Sequence, residues 1–201
     1  MALLNPDWNQ ARPSFNEVRE MCRHIRLKAV VLPEEPFQKF LSSLRESHSN
    51  GGAYFVAFDV GADPVFDWYA SRNRLWDERL LEFLMAHSAI REGLSELAIP
   101  ENPQIEKGFS MESQFILGGT LAGILYQGGA YWQARGDGRS EHRLAMEVCD
   151  AMFGLRFGEV TCNFNADPWT PWFCGIAWDL TAVVFDRRER RLWILAVTDT
   201  D

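Results

Sequence analysis

Phe173-Cys-Gly-Ile-Ala-Trp-Asp-Leu-Thr-Ala-Val-Val-Phe185, then Asp186-Arg-Arg-Glu-Arg-Arg191, then Leu192-Trp-Ile-Leu-Ala-Val-Thr198 is the stretch that decides the fold. The outer two segments are rich in β-branched and aromatic side chains, the residues that fit a pleated and half-buried surface. Only a short charged connection separates them, so they are expected to pair as an antiparallel hairpin.

Working outward, Gly158 to Asn163 reads as a further strand, followed by the loop Asn165-Ala-Asp-Pro-Trp-Thr-Pro171. Ala53 to Val60 is an unbroken run of β formers and is expected near the sheet centre, ending at Gly61-Ala-Asp-Pro64. Lys28 to Leu32 predicts a short strand, and Phe109 to Leu117 another.

Helical periodicity lies between these runs. Ser14-Phe-Asn-Glu17 has the form of a capping box, in which a hydroxyl and a carboxylate three residues apart satisfy each other's orphan backbone donors. Val18, Met21, Cys22 and Ile25 then give residues 15 to 27 an apolar face. Phe37, Phe40, Leu41 and Leu44 repeat that spacing. Trp76, Leu80, Phe83, Leu84 and His87 predict the longest helix, from about Asn73 to Gly93, with His87 as a core histidine.

Residues 118 to 126 are read as a helix in which Gly119 and Gly123 let its backbone approach a neighbour closely, with Gly128-Gly129 at its end. An extended run follows from Tyr131 to Ala134. A last helix is expected over 141 to 153, capped by Ser140. Helices and strands do not alternate regularly. The expected fold is therefore α+β, one domain over residues 1–201, with a mainly antiparallel sheet and a C-terminal hairpin packed against amphipathic helices.

A chain of 201 residues buries roughly 70% of the surface its unfolded form exposes, which is enough for a core without staples. The formal net charge of -8 repels phosphate backbones and anionic membranes and favours cationic partners. Nucleic acid and membrane are accordingly not expected as partners. The uncharged run from Ser113 to Arg135 is interrupted by glutamines and glycines, so it is read as a buried core element.

Cys22, Cys149, Cys162 and Cys174 form no C-x-x-C pair and have no histidine at a ligand spacing beside them. Met1 to Asp7 has neither a basic nor an apolar leader region. A reduced cytoplasmic setting is expected, with no metal and no cofactor.

From Phe157 to Asp186 the chain has no Lys or Arg, while Glu159, Asp167, Asp179 and Asp186 supply carboxylates and Trp169, Trp172 and Trp178 supply indoles. Indole faces and carboxylates together attract guanidinium groups. Glu159, Asp167, Trp169, Trp172 and Asp179 are therefore the candidate binding residues, weighed against the ordinary use of strand tryptophans as packing.

Asp179 stands out, because it interrupts an apolar strand on the face shared with Thr181, Val183 and Phe185. If buried, it needs donors or a shifted pKa. Asp199 and Asp201 are read as a solvated terminus rather than a cation site, His24 and His48 as surface residues, and the arginines of 187–191 as a solvated turn. No phosphate loop, zinc-protease or nucleophile-elbow motif is present.

The expected role is a binding protein, of the inhibitor or immunity type, that offers an acidic, tryptophan-bearing surface to a basic protein. A second reading is a small hydrolase or transferase using Asp179 with a distant His or Cys. A third is a homo-oligomerising subunit.

Overall fold

In the computed structural model, which describes residues 2–105, 107–132 and 136–201, the C-terminal hairpin forms the middle of one sheet. The extended run expected from Tyr131 to Ala134 lies partly outside these residues. In chain order the elements are α1 (Phe15–His24), β1 (Leu27–Val30), α2 (Phe37–Ser47), β2 (Gly52–Val60), α3 (Pro64–Ser71), α4 (Leu80–Met85), α5 (Ser88–Gly93), β3 (Ser110–Glu112), α6 (Leu117–Gln127), α7 (Arg139–Phe153), β4 (Val160–Asn165), β5 (Leu180–Asp186) and β6 (Arg191–Thr198).

All pairings are antiparallel, in the order β1-β2-β6-β5-β4-β3. The fold is α+β. Alternation along β6 sends Leu192, Ile194 and Ala196 into a core shared with α1, α3, α4 and α5. Trp193, Leu195 and Val197 enter a second core built with α2, α6 and α7. The sheet is thus sandwiched between two helical layers, which is why its central strands read as continuous apolar runs.

Local chemistry sets several boundaries. The capping box forms at α1: the Ser14 N–H donates to Glu17 at 2.8 Å and the Glu17 N–H to the Ser14 hydroxyl at 3.4 Å. Asp63 accepts from the N–H groups of Val65 and Phe66, and Pro64 takes the first helical position, so Gly61-Ala-Asp-Pro64 both ends β2 and starts α3. Residues 118 to 126 are helical, within α6.

The expected long helix over 73–93 is broken instead. Glu78 and Arg79 have φ of 51° and 57°, in the left-handed region that stops a helix. The chain also extends at His87, whose Nδ1 accepts the Ala89 N–H at 3.1 Å and caps α5. Leu80 and Leu84 both lie in the short α4 between the breaks and enter one core, whereas Trp76, the first residue of the expected stripe, is 44% exposed.

Three other boundaries move. The strand expected from Phe173 begins only at Leu180, because residues 173–179 form a turn-rich loop. Only Ser110–Glu112 of the 109–117 run pairs. Helix α7 starts at Arg139 after Gly138, whose φ is 75°, and the Ser140 hydroxyl donates to Glu141 at 2.8 Å instead of capping the helix.

The charged turn is not solvated as expected, because its arginines are tied to neighbouring elements. Arg187 donates to the Gly158 carbonyl at 2.6 Å, and Arg188 pairs with Glu159. Arg190 reaches Asp67 at 2.7 Å, and Arg191 reaches Asp59 at 2.8 Å. Beneath them lies Asp186, which is fully buried. Its Oδ1 accepts the backbone N–H groups of Arg188 and Glu189 at 2.8 and 3.0 Å and the Arg156 guanidinium at 3.0 Å.

Asp186→Ala leaves those donors unpartnered beside a partly exposed arginine. It is expected to lower the unfolding free energy in urea by about 3 kcal/mol. Asp186→Asn, which keeps an acceptor for the turn, is expected to lose less.

Candidate functional site

The end of the sheet opposite the arginine turn gathers several buried polar groups, among them His48, Asp179, Thr198 and Asp199. Asp179 sits in the loop before β5, not within the strand, and is 4% exposed. Its Oδ1 accepts from the Thr198 hydroxyl at 2.5 Å and the Cys174 N–H at 3.3 Å, and its Oδ2 from the Gly175 N–H at 2.7 Å. The carboxylate therefore staples the 174–179 loop to the end of β6. Both faces of β5 are buried, so the expected choice of one buried face does not arise.

Asp199 follows directly and is fully buried, correcting the expected solvated terminus. Its oxygens accept the N–H groups of Asn50 at 2.9 Å and Ala130 at 2.8 Å. The approach is so close that a Cβ on Gly129 would lie 1.8 Å from Asp199 Oδ2, so glycine is required there. Asp201 is exposed.

His48, expected at the surface, is only 2% exposed. The Leu44 carbonyl lies 3.0 Å from its Nδ1, which fixes the hydrogen on that nitrogen and leaves Nε2 as an acceptor. Nε2 has no partner among the described residues. Burial pushes the His48 pKa down, against the opposing influence of the Leu44 carbonyl and Asp199. Burial likewise lowers that of His87.

His48 and Asp179 line one groove of about 820 Å³. Its floor is the outer face of α6, its far wall is His142 and Met146 of α7, and its near wall is Trp178 and Leu180. Gly119 and Gly123 do not serve close packing as expected: a Cβ on either would meet nothing within 4 Å, so they open the floor. Their neighbour Gly118 is the tightly packed one, with Met146 Sδ 2.5 Å from the position of its absent Cβ. Phe115 and Ile116 form an apolar rim, exposed by 71% and 46%.

The five candidate residues do not make one surface. Glu159 lies before β4, at the arginine end, paired with Arg188 and Arg156; the hydrogen bond from Arg188, and then the charges of both arginines, hold its carboxyl below the usual range. Trp169 is 3% exposed and donates from Nε1 to Thr181 at 2.8 Å, so it is a core residue and not a surface ligand. Trp172 is half-buried, edge-on to Tyr54 at 5.5 Å. Asp167 is buried and accepts the Lys107 N–H at 2.7 Å.

Residues 166–179 therefore fold over the end of the sheet. They plant Trp169 and Phe173 in one core and bring Trp178 and Asp179 to the groove beside the other. From the sequence His48 is expected at the surface, and Phe115 and Ile116 belong to an expected strand with no part in a site. The signal available was positional: His48 opens Ser49-Asn-Gly-Gly52, a connection that must turn tightly against the end of β6.

Among the described residues, no three His, Cys, Asp or Glu side chains gather as a metal-binding group, and no helix is long and apolar enough to cross a membrane. Burial pushes the thiols of Cys22, Cys149 and Cys162 up to about 12, which removes them as nucleophiles near neutrality. The chain matches no protein-family model, no curated protein and no solved structure.

Two outcomes are expected. Ellman's reagent should titrate one thiol, Cys174, in the native protein and all four in urea. Second, because folding holds His48 and His87 neutral, the unfolded chain takes up protons that the folded one refuses as pH falls below about 6.5. The urea midpoint should therefore drop between about pH 7.5 and about pH 5.5, and His48→Gln with His87→Asn should flatten that drop.

Proposed function

We propose that this chain is a binding protein for a basic protein partner, of the inhibitor or immunity type, and that the α6–α7 groove is where the partner docks. The single observation that carries this reading is the open floor at Gly119 and Gly123 between apolar walls, continuous with the exposed Phe115 and Ile116. An exposed apolar rim of this kind is the ordinary mark of an interaction site. The formal net charge of -8 selects a cationic partner and steers its approach.

The groove, rather than the tryptophan-bearing surface as a whole, is the docking place, because Trp169 is core and Glu159 is already paired. Catalysis by Asp179 is less well supported. Three donors occupy its carboxylate, and using it as a base would release the loop it holds.

A photo-crosslinking residue at position 116, expressed in the native host, tests the reading. The expected adduct is one protein with more Lys and Arg than Asp and Glu. It should be lost in Gly123→Leu, and its association with the chain should slow as salt rises. An adduct indifferent to Gly123→Leu, or a partner with no basic excess, overturns it.

A further inference from the structure

The polar end of the groove has a composition that its apolar walls do not explain. Among the described residues no Lys or Arg lines the groove, and its two buried polar residues, His48 and Asp179, both present acceptors. The first is His48 Nε2, made an acceptor by the Leu44 bond that fixes the hydrogen on Nδ1 and without a partner among the described residues. The second is Asp179, whose Oδ2 accepts one bond from Gly175, so one of roughly four acceptor positions on the carboxylate stays open.

The two groups belong to one end of the sheet. Asp179 is bonded to Thr198, and the adjacent Asp199 acts electrostatically on His48. The Nε2 atom is not sealed from solvent, so it faces the groove as an acceptor that a ligand bringing only donors can occupy.

We propose that this end of the groove is a pocket for one arginine side chain of the partner, its guanidinium donating to His48 Nε2 and Asp179. The proposal rests on the protein-binding reading above and names the group recognised. A guanidinium is donor-only, planar and forked, so it can serve two separate acceptors, and its weak hydration suits a half-buried site. The aliphatic stem lies over the shelf at Gly123, where a side chain of this chain's own would stand in the way. Trp178 supplies an indole beside it, a surface that attracts cations.

The arrangement also makes binding depend on pH. The groups around His48 are the Leu44 carbonyl and Ser47 hydroxyl of α2, Asp199 after β6 and Asp179 before β5, with Gln127 of α6 and His142 of α7 on the groove. A proton on Nε2 replaces an acceptor with a donor and adds a positive charge facing the guanidinium.

The test uses the whole chain and Nα-acetyl-arginine amide as the probe, followed by the NMR shifts of the His48 imidazole and the Trp178 indole. Both should move saturably, and the isosteric but uncharged Nα-acetyl-citrulline amide should bind about tenfold more weakly, as befits loss of a charge-assisted hydrogen bond. Affinity should fall as His48 titrates, with the same profile in His142→Gln. Gly123→Leu, at a helix position with open space, should fold and lose the shifts.

Equal binding of the citrulline probe, equal binding of Nα-acetyl-lysine amide, or retention of the shifts in folded Gly123→Leu overturns the proposal. A crosslinked basic partner together with a silent arginine probe removes the arginine pocket and leaves the docking groove standing. A responsive probe without any crosslinked partner does the reverse.

Discussion

Burying the β5–β6 hairpin on both faces is the constraint on which the rest of the structure depends. Leu192 to Val197 send alternate side chains into two separate cores, so neither helical layer can be dispensed with. Such a strand offers no solvated side for polar groups. They are pushed to its ends and must be satisfied there, Asp186 by the turn it organises, Thr198 and Asp199 by the loops that meet them.

The two ends solve that problem with opposite charge patterns. At the turn, arginines reach across to Asp59, Asp67 and Glu159 on neighbouring elements, and cation and anion are matched within the chain. At the other end, Asp179 and Asp199 are held by backbone N–H groups and one hydroxyl, with no arginine in contact among the described residues. Dipoles fix a carboxylate without cancelling its charge. That end keeps an unmatched negative field, and it is where the groove opens.

What the sequence made legible is what short-range chemistry decides. The hairpin, the capping box at Ser14 and the helical reading of residues 118–126 each rest on residues a few positions apart. The breaks at Glu78 and His87 were not legible, since Trp76, Leu80, Phe83, Leu84 and His87 keep helical spacing in the sequence whether or not the backbone joining them is continuous. Asp179 reads in the sequence as a residue that needs donors if buried, and three donors hold it, but its place in a loop was hidden by the apolar run around it. Trp169 and Trp178 are alike in the sequence, and only the path of the loop over the sheet end sends one into the core and the other to the groove. Burial of His48 and pairing of Glu159 depend on partners more than a hundred or nearly thirty positions away, beyond any periodicity.

The position of β6 carries a consequence for how the chain reaches this state. β6 lies between β2 and β5, pairing Gly52 with Thr198 and Asp59 with Arg191. Until β6 is in place, β2 and β5 share no neighbour, and the strand joining the two halves of the sheet is synthesised after the five it assembles with. Loop closure over so long a span precedes the reward of pairing, which slows folding in proteins dominated by non-local contacts. During synthesis, therefore, β2 presents an open apolar edge from the time it emerges until β6 follows it, and the nascent protein is most exposed to mispairing while its own central strand is still absent.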